Sequence, residues 1–291
     1  MKKILTLLAV TIAFTVNAQV QHQNTSITGS TSSSAIGTYT TASAGGAFAS
    51  GRDSKATADY SRAHGYFTEA NGVSSTAMGS FGKANGNNST AMGVFTEANG
   101  DTSTAMGYYS KANGDYSTAM GYGSYANDYS SFVIGYLNSS GSTVTASATS
   151  ANSANTLFVI GNGTFANRSD AFKVMANGDT TVSNDLTVGG DIVVSSDARL
   201  KANIVSLGST LAKLLLIDGK SYTMKKNGKQ KIGVLAQEIQ TVFPELVTTD
   251  DKDMLAVNYQ GLVPVLINAI KEQDDKISRL ENLVEKLISD K

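Results

Sequence analysis

Between residues 34 and 136 the chain repeats one short pattern of apolar and polar positions. Glycines fall at 37, 51, 65, 79, 93, 107, 121 and 135, every fourteenth residue. Four neighbouring units read Ser75-Thr76-Ala77-Met78-Gly79, Ser89-Thr90-Ala91-Met92-Gly93, Ser103-Thr104-Ala105-Met106-Gly107 and Ser117-Thr118-Ala119-Met120-Gly121. Each unit also holds an Asn-Gly pair about half a period away, at Asn71-Gly72, Asn85-Gly86, Asn99-Gly100 and Asn113-Gly114. A fixed period marks a solenoid. Fourteen residues leave room for two short strands and two turns per coil, and too little for a helical repeat. The Asn-Gly pairs are expected to make the turns, since both residues tolerate positive φ at little cost. Small Ala and Gly side chains let coils stack at strand spacing, about 4.8 Å. Met78, Met92, Met106 and Met120 then form one ladder, expected to serve packing, with Thr76, Thr90, Thr104 and Thr118 as a second.

The pattern changes after residue 136. Residues 137–155 are rich in Ser, Thr, Ala and Asn, which reads as a linker. Leu157–Gly161, Ala171–Val174, Thr180–Val182, Asp185–Val188 and Asp191–Val194 read as short strands with Gly or Asn between them. Together these predict a linker and β stalk over 137–195. From about residue 262 the period becomes helical. Val263, Ile270, Ile277 and Val284 alternate in 3–4 spacing with Leu266, Gln273, Leu280 and Leu287, an a/d seam of a coiled coil. β-Branched a positions with Leu at d favour two strands, whereas the repeat architecture calls for three chains; Gln273 forms a polar layer that could set either.

Charge divides the chain at the same place. Residues 196–291 carry 27 of the 47 charged side chains and both prolines, Pro244 and Pro264. The formal net charge of −1 gives no reason to invoke nucleic acid. Cysteine is absent, so an exported chain must draw its stability from repetition and oligomerisation rather than disulfides. Export is itself expected. Lys2 and Lys3 precede a short apolar run, Ile4 to Val16, and Val16-Asn17-Ala18 precedes a cut at Gln19. That makes residues 1–18 a signal peptide and 19–33 an N-terminal linker. The run is short of the roughly 20 residues of a membrane-spanning helix.

The Ser-x-Ala-(Ile/Met)-Gly unit, with Ala-x-Gly further on, resembles the head repeats of YadA-like trimeric autotransporter adhesins. The likeness covers residues 34–136, with Ala35-Ile36-Gly37 and Val133-Ile134-Gly135 as edge copies. It implies a mainly β fold: a left-handed parallel β-roll of three chains about one axis, with interwoven triangular stalk segments behind it. Those adhesins end in a membrane β-barrel, whose strands alternate apolar and polar residues. This tail instead runs in Lys, Glu, Asp and Leu at helical spacing, so no transmembrane anchor is expected.

Three motifs recur in order in the tail. They are Ser196-Asp197-x-Arg199-x-Lys201, Gly233-Val234-Leu235-Ala236-Gln237-Glu238 running to Phe243-Pro244-Glu245-Leu246-Val247, and Asn258-Tyr259-Gln260-Gly261-Leu262-Val263. Residues 196–291 thereby resemble the endosialidase-type C-terminal intramolecular chaperone of phage tailspikes and tail fibres. The resemblance implies a small α+β domain that trimerises, templates folding of the β-rich part ahead of it, and releases itself by serine–lysine autoproteolysis. It makes Ser196 the nucleophile, Lys201 the base, and the Ser195–Ser196 bond the cleavage site, within one chain or between chains. A serine hydroxyl needs an adjacent base at neutral pH. Lysine serves as that base only when deprotonated, which burial or a neighbouring cation promotes. Arg199 is the candidate for such electrostatic support. Gln237 and Glu238 read as a fold signature.

Other chemistry is sparse. His22 and His64 are the only histidines, and His64 fills a slot that methionine takes in later coils. No zinc set or His-based triad is expected, no cofactor, and no metal. Gly161-Asn162-Gly163 reads as a turn, and Asp250, Asp251 and Asp253 as a solvated loop. Three functional readings follow. The first is an exported, secreted or cell-surface homotrimeric fibre that meets a host, matrix or glycan ligand and is matured by its own chaperone. The others are a phage or prophage tail-fibre component, and a glycan- or ice-binding solenoid with a non-cleaving tail.

Overall fold

The computed structural model describes residues 26–27, 32–250 and 253–290. The expected signal peptide, most of the linker after it, His22 and Asp251 lie outside the described residues. Contacts divide the chain into two compact units, Met1–Asp191 and Ile192–Lys291.

The first unit is the solenoid. Each coil holds one five-residue strand and one two-residue strand, for example Thr76–Ser80 and Lys83–Ala84. Long strands pair only with long strands and short with short, all parallel and each residue beside its equivalent one period on: Thr90 with Thr104, Met92 with Met106, Glu97 with Lys111. Alternation along the long strand decides what enters the core. Ala77, Ala91, Ala105 and Ala119 point inward and are fully buried, as are Ala84, Ala98, Ala112 and Ala126 on the opposite strand. The expectation that the methionine ladder packs is not met within the chain. Met78 and Met92 remain 37% exposed, because they share the outward phase with the half-buried threonines.

The turns also differ from expectation. Gly72, Gly86, Gly100 and Gly114 do not adopt positive φ. The left-handed corners fall at Phe67, Phe81, Phe95 and Tyr109 (φ 52 to 56°) and at Ser74, Asn88, Thr102 and Tyr116 (φ 54 to 59°). A left-handed aromatic residue is disfavoured by about 1–2 kcal/mol. Here the rings at those corners stack on one another, Phe81 on Phe95 at 4.8 Å and Phe95 on Tyr109 at 4.7 Å, with nearly parallel planes. The Asn-Gly glycine serves coil approach instead: a Cβ on Gly86 would collide with the carbonyl of Gly100. Its asparagine partners run an amide ladder, Asn71 to Asn85 at 2.8 Å and Asn85 to Asn99 at 2.7 Å.

The solenoid does not stop at residue 136. Thr156–Asn162 adds a further parallel rung, with Val159 beside Val133 and Gly161 beside Gly135. Gly161 and Asn162 are therefore strand residues rather than the expected turn. Two antiparallel strands, Asp170–Met175 and Thr180–Val182, extend this sheet. The expected strands at 185–188 and 191–194 do not form; those residues are exposed and join no ladder of the chain. A strand needs a neighbouring strand for its N–H and C=O groups, and among the described residues none runs beside 186–188 or 191–194.

The second unit is small and irregular. It contains the helices α1 (Leu211–Leu214), α2 (Ala236–Val242) and α3 (Leu262–Ser289), with hairpins Lys220–Thr223/Gln230–Gly233 and Val247–Thr249/Leu255–Val257. Its core centres on Ile239, Phe243 and Val265. The a/d positions of α3 lie outside it: Val263, Ile270, Ile277, Leu280 and Leu287 are exposed in the single chain.

Candidate functional site at the Ser196–Lys201 turn

The candidate site begins with a sequence-local turn. Asp197 caps the short 3-10 turn Ala198–Leu200, its carboxylate accepting the Arg199 backbone N–H at 2.8 Å. The Lys201 N–H then donates to the Ala198 carbonyl at 3.0 Å. This single turn folds the lysine back over the serine. The Lys201 Nζ donates to the Ser196 Oγ at 2.7 Å. The two residues named by the Ser–Lys spacing are thus in direct hydrogen-bond contact.

Arg199 is placed differently. Its guanidinium folds onto Asp197, Nη2 to Oδ2 at 2.7 Å and Nε to both oxygens at 3.1 Å. The pair holds the Asp197 carboxyl below its ordinary range and raises Arg199 above its own. The Arg199 charge is thus paired with the Asp197 carboxylate. Residues 177–209, including Ser195, are exposed throughout, so no burial acts on the lysine within one chain.

The second and third motifs meet each other rather than the turn. The Val234 N–H donates to the Tyr259 hydroxyl at 3.2 Å, and a Cβ on Gly233 would press on that oxygen. Asn258 accepts the Gly261 N–H at 3.1 Å, ahead of α3. Glu238 takes the Asp218 N–H at 3.3 Å and pairs with Lys220 at 3.4 Å, tying α2 to the first hairpin. Gln237 lines an open cavity of about 760 Å³ with Tyr222, Met254 and Tyr259. These are folding contacts.

One residue of this unit carried no sequence signal. Glu272 in α3 accepts Ser209 Oγ at 2.6 Å, the Leu211 N–H at 3.1 Å and the Thr210 N–H, and these bonds draw its carboxyl down to about 2. A glutamate among charged neighbours on a helix looks like solvated surface, and its partners lie 61 to 63 residues away.

Elsewhere the structure offers little chemistry. His64 stands in the methionine column beside Met78, its Nδ1 2.5 Å from the Ser50 hydroxyl. Among the described residues no group of three His, Cys, Asp or Glu side chains could hold a metal ion. Asp250 and Asp253 lie between the two strands of the second hairpin, where the Met254 N–H donates to Asp250 at 2.9 Å.

A repeat solenoid joined to a small folding module is the class that fold and site define. Residues 196–248 match the chaperone of endosialidase family, and residues 70–137 match the YadA head domain repeat in overlapping pairs of copies. The chain therefore carries a YadA-type head repeat and an endosialidase-type chaperone module. Part of it is also similar to long tail fiber protein Gp37 of Escherichia phage AR1, 36% identical over 89 residues, 27% of this chain and 8% of that protein. A second relative is Gp37 of Salmonella phage S16, 30% identical over 105 residues, 32% of this chain and 14% of that protein. The match thus spans a small fraction of either relative. Among the described residues no helix is long and apolar enough to cross a membrane.

Proposed function

We propose that this chain is one of three in an exported fibre, and that residues 196–291 act as its folding template and then release themselves by cutting Ser195–Ser196. The hydrogen bond between Lys201 Nζ and Ser196 Oγ, inside a segment matching the chaperone family, carries this reading. Ser196 Oγ attacks the Ser195 carbonyl carbon while Lys201, as the neutral amine, takes the hydroxyl proton. The C–N bond breaks and Lys201 returns the proton to the departing amine of Ser196. Water then opens the ester, leaving a carboxylate on Ser195 and a free Ser196 hydroxyl. A neutral lysine requires desolvation. Since the single chain exposes the turn, that desolvation falls to assembly, and cleavage follows trimer formation.

The two units support a trimer from their apolar surfaces. A core of a few side chains is thin for a unit of this size. The exposed α3 seam and the Thr/Met face of the solenoid would be covered by other copies, and the segments 186–188 and 191–194, which belong to no sheet of the single chain, would find strands in them. Contacts between chains must be closed before they are rewarded, so a fibre of three chains folds slowly. A tail that trimerises first raises the local concentration of the strands ahead of it, and cutting it off afterwards leaves the fibre kinetically trapped. The ligand class for the solenoid is a host, matrix or glycan surface.

Intact mass of the wild type beside Ser196→Ala tests this directly. A fragment of residues 196–291 from wild type alone supports cleavage; two intact trimeric chains make the tail a permanent trimerisation module. A second reading, a virion-borne tail fibre, is favoured by the likeness to the two Gp37 proteins. Finding the protein on cells that carry no phage particles separates the two.

A further inference from the structure

The Ser196–Lys201 turn has no visible means of being held in place. Every residue from 192 to 209 is exposed, and the turn's own bonds run among Ser196, Asp197, Ala198, Arg199 and Lys201. The first buried residue downstream is Thr210, 2% exposed, whose hydroxyl donates to the Val265 carbonyl at 3.0 Å. Around it one carboxylate gathers three consecutive residues. Glu272 Oε2 accepts Ser209 Oγ at 2.6 Å, and Oε1 accepts the Leu211 N–H at 3.1 Å, the Thr210 N–H and, at 3.4 Å, the Thr210 hydroxyl.

The local chemistry explains why a distant carboxylate is needed. A helix leaves its first N–H groups without partners, and a side-chain oxygen at the cap normally takes one of them. Thr210, at the cap of α1, makes no such bond. Its hydroxyl turns to the Val265 carbonyl, with a longer contact to Glu272, so the first N–H of α1 is served from α3. Charge-assisted bonds of this kind are about twice as strong as neutral ones.

We propose that Glu272 is a positioning residue that makes cleavage at Ser195–Ser196 conditional on the folding and docking of α3. The inference rests on the cleavage reading above. Glu272 lies in α3, Leu262–Ser289, the last element among the described residues. Until that helix has formed and docked, Ser209, Thr210 and Leu211 have no anchor, and the turn ahead of them drifts free of the module that must trimerise around it. Once it is docked, residues 202–208 are a short tether from a fixed point. The order of events is then built into the fold: the helix that carries the trimer seam also holds the strap that sets the serine in place.

The test uses the full chain in wild-type, Ser196→Ala, Glu272→Ala and Glu272→Gln forms, with Glu281→Gln as a control on the same helix. Cleavage rate is read by intact mass on assembled trimer, and its pH profile is recorded. Hydrogen exchange at residues 209–211 is read in the uncut Ser196→Ala background. Losing a charged acceptor should slow cleavage about tenfold to a hundredfold in Glu272→Ala. Glu272→Gln, which keeps one acceptor oxygen and disturbs folding least, should be slowed less. The plateau of the pH profile should fall without moving its midpoint, since Lys201 is untouched, and exchange at Thr210 and Leu211 should rise. Glu281→Gln should match wild type. Wild-type rates in assembled Glu272→Gln and Glu272→Ala, with exchange at 209–211 raised, overturn the coupling and leave the cleavage reading standing. A wild type that never cuts brings down both, and unchanged exchange shows that the clamp does not operate.

Discussion

Asp128 stands in line with Gly114, one period on, and carries a side chain where Gly72, Gly86, Gly100 and Gly114 carry none. The earlier glycines are forced by the next coil, whose carbonyl occupies the space of a Cβ. Beyond Asp128 the short-strand ladder ends at Tyr125–Ala126, and the space opens. The buried carboxylate fills it by accepting the Thr145 N–H at 2.6 Å and the Thr156 N–H at 2.8 Å. Residues 137–155 are thus a lid on the solenoid rather than a slack linker. Asp170 adds bonds to the Ser139 and Ser140 N–H groups, and Arg168 reaches the Gly123 and Asn138 carbonyls while lying over the Tyr125 ring.

Replacing Asp128 by Ala should strand two N–H donors and lower stability by about 2–5 kcal/mol. Denaturant unfolding followed by circular dichroism measures it, and limited proteolysis should open first within 139–155.

Coil approach makes a sharper prediction. Gly93→Ala would drive a Cβ into the Gly107 carbonyl at φ +132°, a conformation that L side chains rarely adopt. It should cost about 3 kcal/mol or more, with loss of the folded solenoid. Gly189→Ala, with open space around it, should stay within about 0.5 kcal/mol of wild type.

Lys201→Arg keeps the positive charge but removes any practical base, because a guanidinium stays protonated. The chain should assemble and remain whole by intact mass, as with Ser196→Ala. A cut Lys201→Arg chain would show that the lysine is not the base.

Glu272 sets an acid limb. Its carboxyl is held at about 2, below the ordinary 4.5, by the Ser209 hydroxyl first and then the Thr210 and Leu211 N–H groups. A depressed carboxylate stabilises the fold above the unfolded value and loses that contribution as pH falls toward the folded one. Thermal unfolding between pH 4.5 and 2 should therefore be less steep in Glu272→Gln than in wild type.

The a/d seam of α3 predicts assembly. Ile277→Lys places a charge where Ile277 is 46% exposed in one chain and would be buried between chains. Sedimentation should show loss of the trimer, and cleavage should fail with it.

Much of this is legible in the sequence, because a solenoid writes its contacts at one spacing. Ala77 meets Ala91, and Asn71 meets Asn85, at the same interval at which their letters recur. The Ser196–Lys201 contact is likewise local, closed by one turn. The inward phase of alanine follows from alternation alone, and it leaves the methionine ladder on the outward phase of the single chain, since one strand can bury only one phase. Corner geometry is not legible there, because Asn-Gly has two uses, positive φ and close approach, and only the neighbouring coil tells them apart. The lid and the clamp were invisible for a different reason. Asp128 meets Thr156 across 28 residues and Glu272 meets Thr210 across 62, separations that no period announces. Such bonds arise where a buried donor left over by one element faces an acceptor from another, and only the folded chain brings the two together.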